Sequence, residues 1–409
     1  EELGFHYLGP INGHSLPEMV SSLKMARSIG GPVLLHAVTV KGKGYEKAEE
    51  PSGQIKWHAA TPADFEAAPK PSQAPNGTPK APPTYTQVFA DTLIELAARD
   101  ERIVAITAAM PGGTGVDKFI ERFPKRGFDV GMTEEHAVTF ASGLALRGLR
   151  PVVAIYSTFL QRSYDQIIHD VCQVRGGLPV TFALDRAGLV GEDGATHQGA
   201  FDLSYLRAIP HMTVMAPKDE GELRQMLATC IALDGPAAVR YPRGAGVGVA
   251  LDEPLQPLAV GKGELVRDSE QKELELGVIA IGYSVQAASH AADVLIAEKR
   301  RVAVVNARFV KPLDEELICA VARRAKRLVT VEENVVQGGF GSAVLELLQR
   351  EGIHDVPVTT IGIPDDFIHH GTPGIQRREL GLDADGLLYA LRRSLPRKGK
   401  TAAASKSVG

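Results

Sequence analysis

The sequence predicts an α/β fold in three domains, with mainly parallel sheets flanked by helices and an incomplete first domain. Three observations carry that expectation. From residue 85 onward, short apolar runs of strand length alternate with stretches of helical period, the pattern of a parallel sheet covered on both faces. Two segments interrupt the rhythm, a Pro-, Ala-, Ser- and Lys-rich stretch at 66–84 and a bridge at 249–273. Between Phe128 and Gly199, three strand-like runs each end in a polar cluster: Glu134-Glu135-His136, Tyr156 to Arg162, and Asp185 to His197. Open α/β sheets place ligands outside the carboxyl ends of their strands, so these clusters mark a candidate site.

Taken in order, residues 17–29 read as a helix and 32–40 as a buried strand that empties into KGKGY (41–45). One helix and one strand cannot enclose a core. Residues 1–65 therefore read as the C-terminal remnant of a larger α/β domain, with more chain expected upstream of Glu1. Residues 66–84 have the composition of an extended, exposed linker. The second domain is expected over 85–248. It opens with an amphipathic helix at 85–99, with Val88, Phe89, Leu93, Leu96 and Ala97 on one face. Strand IVAIT (103–107) and a Gly-rich turn follow, then strands FDVGM, VVAIY, VTFAL, TVMAP and AAVRYP. The third domain, 249–395, offers strands LGVIAIGY, RVAVVNA, RLVTVEE and VPVTTIGI, with helices at 285–298, 314–325 and 341–351. GYS and GGFGSA match neither a Walker loop nor a dinucleotide fingerprint and read as glycines that open helices. Residues 396–409 are small and polar, the composition of a disordered tail.

Composition narrows the function. The 409 residues carry 45 basic and 49 acidic side chains, a net charge of −4, too balanced for general nucleic-acid or membrane binding. The 3 cysteines are far apart and odd in number, against a disulfide framework or a zinc site and in favour of a reducing compartment. No apolar run approaches the roughly 20 residues of a membrane helix, and no secretory signal is present.

The candidate residues have bland and functional readings. Glu134 and Glu135 could each be a first-turn glutamate favoured by the helix dipole, or an acid serving a ligand. Tyr156 and Phe159 could lid a core, but they alternate with Ser, Thr, Gln and Arg162, which suits a polar cavity. Arg186 and Arg243 end separate strands. They could form weak surface ion pairs, or two guanidinium forks around a phosphate. His197 could be a turn histidine or a general acid/base. The loop GLVGEDGATHQG (188–199) has four glycines and would let backbone approach a ligand.

Together these residues resemble the thiamine diphosphate enzymes of the transketolase superfamily. The matching strings are YLGPINGH (7–14), VKGKGY (40–45), TEEHAVTFASGLA (133–145), IYSTFLQRSYDQ (155–166), DRAGLVGEDGATHQGAFDLSYLR (185–207), RYPRG (240–244) and VEENVVQGGFGSAV (331–344). The resemblance implies a three-domain, transketolase-like architecture: a diphosphate-binding domain of which 1–65 is the end, a pyrimidine-binding domain and a C-terminal domain. It is strongest to the synthase that condenses pyruvate with D-glyceraldehyde 3-phosphate, releasing carbon dioxide, at the start of non-mevalonate isoprenoid synthesis. It implies thiamine diphosphate and magnesium as cofactors and a homodimer in bacterial cytosol or plastid stroma.

By the same resemblance, Glu134 hydrogen-bonds the cofactor's aminopyrimidine and Phe159 packs on it, while Arg162, Lys41 and Tyr45 line the cofactor cleft. Tyr156, Arg186 and Arg243 match the acceptor phosphate site, and Asp193 the acceptor hydroxyls. His197 and His58 match histidines at the reacting carbonyls. The family's magnesium motif, Gly-Asp-Gly with a downstream asparagine, has no match in this chain, so its ligands are expected upstream. Another transketolase-like enzyme, or a catalytically inactive dimerising fragment, is the alternative.

Overall fold

The computed structural model describes residues 1–50 and 81–396. Contacts divide the chain into two compact units, Glu1–Lys80 and Ala81–Gly409. His58, most of the expected linker (66–80) and the tail from 397 lie outside the described residues.

In the first unit, strand β1 (His6–Asn12) pairs in parallel with β2 (Val33–Val38), joined by helix α1 (Leu16–Ile29). The helix is well punctuated. Ser15 accepts from Glu18 N, Pro17 sits in the first turn, and Gly30 closes the helix at φ 67. The sequence hides β1 because Gly9-Pro10 interrupts it; the register shifts between Leu8 and Ile11 around that proline. No residue of α1 is buried, and Leu16, Val20, Leu23 and Met25 are exposed, as are Leu34 and Val38 of β2. Among its described residues this unit encloses no core.

The second unit contains two sheets. Helix α2 (Tyr85–Arg99), capped by Thr84, leads to β3 (Ile103–Thr107) and β4 (Gly127–Asp129). Helix α3 (Glu134–Leu146), β5 (Arg150–Tyr156), β6 (Thr181–Asp185), α4 (Asp202–Arg207), β7 (Thr213–Met215), α5 (Glu220–Ala232) and β8 (Ala237–Arg240) follow. Beyond the bridge come β9 (Glu264–Asp268), β10 (Leu276–Ala280), α6 (Ser284–Ala297), β11 (Val302–Asn306), β12 (Phe309–Lys311) and α7 (Glu315–Arg324). The chain ends on β13 (Leu328–Val335), α8 (Phe340–Arg350), β14 (Val358–Ile363), α9 (Pro373–Glu379) and α10 (Ala384–Ser394).

The seven-stranded sheet runs β12-β7-β8-β6-β5-β3-β4 and the five-stranded sheet β14-β13-β10-β11-β9. Both are parallel except at one edge, where β12 and β9 are antiparallel. Every residue of β3, β6, β10 and β11 is buried, as expected of central strands covered by helices on both faces. The predicted helix 85–99 has these bounds, and GYS and GGFGSA open α6 and α8.

Besides the unforeseen β1, and β2, expected to be buried but without a buried residue, three features of the second unit differ from the sequence-based expectation. Strand β9 lies in the bridge, where ELVRD is charged and partly exposed, so neither apolar run nor clean alternation marks it. Strand β12 is three residues long and follows a turn, yet it leaves the third segment to pair with β7 of the other sheet. Helices α9 and α10 are additional to the expected elements, although Thr372-Pro373 and Asp383 are ordinary helix starts and both side chains cap.

Candidate active site

The site grows out of the carboxyl ends of β5, β6 and β8, neighbours in the seven-stranded sheet. Helix α3 opens on Glu134 and packs Ala137, Ala141 and Ala145 inward. Those small side chains allow close approach to the sheet and seat the first turn against it. Glu134 is 7% exposed. Among the described residues its one charged partner is Arg162, whose Nε lies 3.5 Å from Oε2. The helix N-terminus offsets part of the cost of burying that carboxylate. Arg162 also donates to Glu135 Oε1 from Nε and Nη2, each at 3.3 Å. Its own backbone N–H and then Arg162 hold the Glu135 carboxyl below the ordinary range.

Beyond β5 the chain turns at once into Ser157–Leu160, which brings Phe159 back beside Tyr156. The two rings stack at 5.7 Å and 18°, and His197 meets Phe159 edge-on at 5.2 Å. The Arg186 guanidinium lies over the Tyr156 ring, its Cζ 3.9 Å from the centroid. Arg186 adopts φ 59, a left-handed conformation uncommon for a side chain of this size. It is held there from several directions. Asp185, fully buried, accepts from Thr86 Oγ1 at 2.7 Å and from Arg186 N at 2.7 Å, and pairs with Arg186 Nη1 at 3.0 Å. The same Nη1 donates to Gly113 O at 2.7 Å. Burial raises the Asp185 carboxyl, and Arg186 opposes that shift. A Cβ on Gly113 would stand 1.8 Å from Tyr156 Oη, so the phenol rests directly on backbone and only glycine fits.

Arg243, just past β8, donates from Nη1 to Asp193 Oδ2 at 2.8 Å and to Val190 O at 3.2 Å. The loop between Arg186 and Gly199 closes on itself, with Gly188 and Gly199 exchanging two backbone bonds of 2.8 and 2.9 Å. His197 shares a 2.8 Å hydrogen bond between Nδ1 and Thr196 Oγ1, which leaves Nε2 for a ligand. Burial raises the Tyr156 hydroxyl, while Arg186, Asp185, Asp193 and Arg243 all act on it electrostatically, so these four charges converge on one phenol.

The sequence candidates of this unit therefore gather in two groups: Glu134 with Arg162, and Tyr156 with Phe159, Arg186, Asp193, His197 and Arg243. Lys41 and Tyr45 belong to the first unit, Lys41 exposed in a turn and Tyr45 at the start of the short helix Glu46–Glu49. Sequence reasoning missed Thr86 and Gly113. Their only signal was position, in the first turn of a helix and in a glycine-rich turn.

Chemically, the buried Glu134 carboxylate can accept a hydrogen bond from a heteroaromatic ring nitrogen, and the Phe159 ring offers a face on which a flat ring can stack. Arg186 has an Nε that is buried without a partner among the described residues, and Arg243 is partly exposed. Two such guanidinium groups beside a phenol suit an anion. Among the described residues no group of three or more His, Cys, Asp or Glu side chains could hold a metal ion. No described helix is long and apolar enough to cross a membrane, and the three cysteines are buried and free.

Comparison with known proteins locates this arrangement. Residues 81–247 match the family described as transketolase, pyrimidine binding domain, and residues 261–387 match transketolase, C-terminal domain. Residues 1–39 match the family 1-deoxy-D-xylulose-5-phosphate synthase. The chain is 53% identical over 392 residues to the 1-deoxy-D-xylulose-5-phosphate synthase of Heliobacterium modesticaldum, covering 96% of this chain and 58% of that protein. It is 52% identical over 408 residues to 1-deoxy-D-xylulose-5-phosphate synthase 1 of Geobacter sulfurreducens, covering 100% of this chain and 62% of that protein. A solved structure of a split-gene transketolase, described as an inactive beta4 tetramer, superposes with a TM-score of 0.66 at 30% identity, covering 76% of this chain and 98% of that one. The chain thus spans about three-fifths of the length of the curated relatives it matches.

Proposed function

The chain belongs to the transketolase family, in its 1-deoxy-D-xylulose-5-phosphate synthase branch, and from that premise we propose that the whole protein condenses pyruvate with D-glyceraldehyde 3-phosphate. The products are carbon dioxide and 1-deoxy-D-xylulose 5-phosphate, which feeds non-mevalonate isoprenoid, thiamine and pyridoxal synthesis. One observation supports this most: a buried helix-start carboxylate and a two-arginine, one-phenol anion site share the strand ends of a single sheet.

Thiamine diphosphate, when bound, supplies the electron sink that decarboxylation of a 2-oxo acid requires. The residues present fit its pyrimidine end. Glu134 offers an acceptor to a ring nitrogen from a position 7% exposed, where low dielectric strengthens the bond. Phe159 offers a ring face and Arg162 lines the cleft. At the other end Arg186 and Arg243 hold the acceptor phosphate, Asp193 meets its hydroxyls, and His197 holds a proton through Nε2 at the acceptor carbonyl. No Gly-Asp-Gly with a downstream asparagine occurs in this chain, so in this reading the magnesium and diphosphate ligands come from elsewhere in the assembled enzyme. The inactivity of the split-gene transketolase tetramer fits a site that needs those ligands. In the assembled enzyme we expect a homodimer.

The test is Arg243→Ala in the holoenzyme, assayed with thiamine diphosphate and magnesium. Loss of a charge-assisted contact to phosphate, about 1.5–3 kcal/mol, should raise the KM for D-glyceraldehyde 3-phosphate about 10- to 100-fold. The KM for pyruvate should stay near that of wild type. An equal rise for both substrates would remove the phosphate role.

A further inference from the structure

The loop that carries Asp193 and His197 is held from outside its own sheet. Gln376 in α9, 2% exposed, addresses both backbone groups of Gly191. Its Oε1 accepts from Gly191 N at 3.1 Å, and its Nε2 donates to Gly191 O at 3.2 Å and to His369 O at 2.8 Å. Glu333 at the end of β13, 4% exposed, accepts from Leu189 N at 3.4 Å. That carboxylate is fixed by Arg377, with Nε at 2.5 Å and Nη2 at 3.3 Å, and Arg377 lies 4.3 Å over the Tyr283 ring. Between the two anchors, Val190 N donates to Gln198 Oε1 at 2.8 Å.

Three consecutive amides are thus taken up by side chains, and the carbonyl of the middle residue, Val190 O, is the one that meets Arg243. The fit is tight. A Cβ on Gly188 (φ 75) would come within 2.6 Å of Glu333 Oε2, and one on Gly191 (φ 89) within 2.7 Å of Pro373 Cδ. Two-point recognition of one residue's backbone by a buried amide fixes orientation as well as distance, because Oε1 and Nε2 cannot exchange roles without breaking both bonds.

We propose that Gln376, backed by the Glu333–Arg377 pair, is a positioning residue for the acceptor half of the site: it sets where Val190 O and Asp193 hold Arg243, and thereby the affinity for the phosphorylated aldehyde. This rests on the acceptor-site reading above. The C-terminal segment then tunes one substrate and leaves the other alone, since the clamp bonds the acceptor loop and not Glu134 or Arg162.

Gln376→Glu is nearly isosteric but turns a carboxylate oxygen toward two carbonyls, so the loop must shift. In the holoenzyme the KM for D-glyceraldehyde 3-phosphate should rise about tenfold, with pyruvate KM and kcat close to wild type. Arg377→Lys keeps the charge but loses the fork on Glu333, and should shift the same KM in the same direction by less. Amide exchange in this chain should quicken at Leu189 and Gly191 in both variants. A purely structural role would lower kcat or raise both KM values together, and that result, or an unchanged acceptor KM, overturns the proposal. Should wild-type holoenzyme fail to join pyruvate to the phosphorylated aldehyde, the functional reading itself falls, and this proposal with it. An active wild type with no KM split in the variants removes this proposal alone.

Discussion

Glu134 illustrates how one residue can be cheap for the fold and decisive for the chemistry. It is almost fully buried, with the charge of Arg162 3.5 Å away. Helix-dipole stabilisation of such a first-turn acid is about 0.3–1 kcal/mol, a small part of a domain's stability. Glu134→Ala should therefore leave the melting temperature within a few degrees of wild type, while kcat in the holoenzyme falls by about 100-fold or more. Calorimetry and turnover on the same preparation check both halves; near-normal turnover would remove the cofactor assignment. At this scale the strand-end residues were legible in the sequence, because a strand end and the turn after it are local features. Their supports were not. Thr86 reaches Asp185 across 99 residues and Gln376 reaches Gly191 across 185, and no local pattern encodes such a pairing.

Among the elements, the start of α8 carries a titratable group of its own. Glu332, fully buried in β13, accepts from Phe340 N at 2.7 Å and Gly341 N at 2.8 Å, so it closes the first turn of the helix. Burial pushes its carboxyl from an ordinary 4.5 up to about 7, outweighing those two donors. Between these values the folded protein binds a proton that the unfolded chain has released. Stability therefore falls as pH rises from 4.5 to 7, and this contribution is fully present only below that window. Glu332→Gln lacks the titration. Wild-type stability relative to the variant should fall between pH 5 and pH 7.5, by an amount on the order of 3 kcal/mol or less. Denaturant unfolding at the two pH values measures it, and a constant gap would mean that the two N–H groups keep the carboxylate ionised throughout. The helix itself was legible in the sequence, within one residue at each end, from its glycines and apolar period. The buried acid that closes it lies on the preceding strand, inside an apolar run, where it reads as an ordinary strand residue.

Over the molecule as a whole, the bridge at 249–273 separates two sheets in sequence but not in packing. Strand β12 crosses back to extend the seven-stranded sheet beside β7. Its Phe309, fully buried, packs in a core with Phe89, Met215, Leu227 and Tyr241. Buried polar groups reinforce the crossing. Arg308 Nε lies 2.6 Å from Glu222, Asn306 Nδ2 donates to Glu222 at 2.9 Å, and Arg240 joins Asp202 at 2.9 Å while donating to Glu333 O at 3.0 Å. Removing one partner of such a pair strands the other, so neither sheet can open without exposing unpaired charge. Residues 81–396 should accordingly unfold in one cooperative transition, with calorimetric and van't Hoff enthalpies equal. Phe309→Ala, at about 3–5 kcal/mol, should lower that single transition without splitting it. Two resolved transitions in the wild type would show that the sheets are independent. The acceptor loop would then be clamped by a body free to move away from it, and the coupling between Gln376 and Arg243 would have no rigid frame to act through.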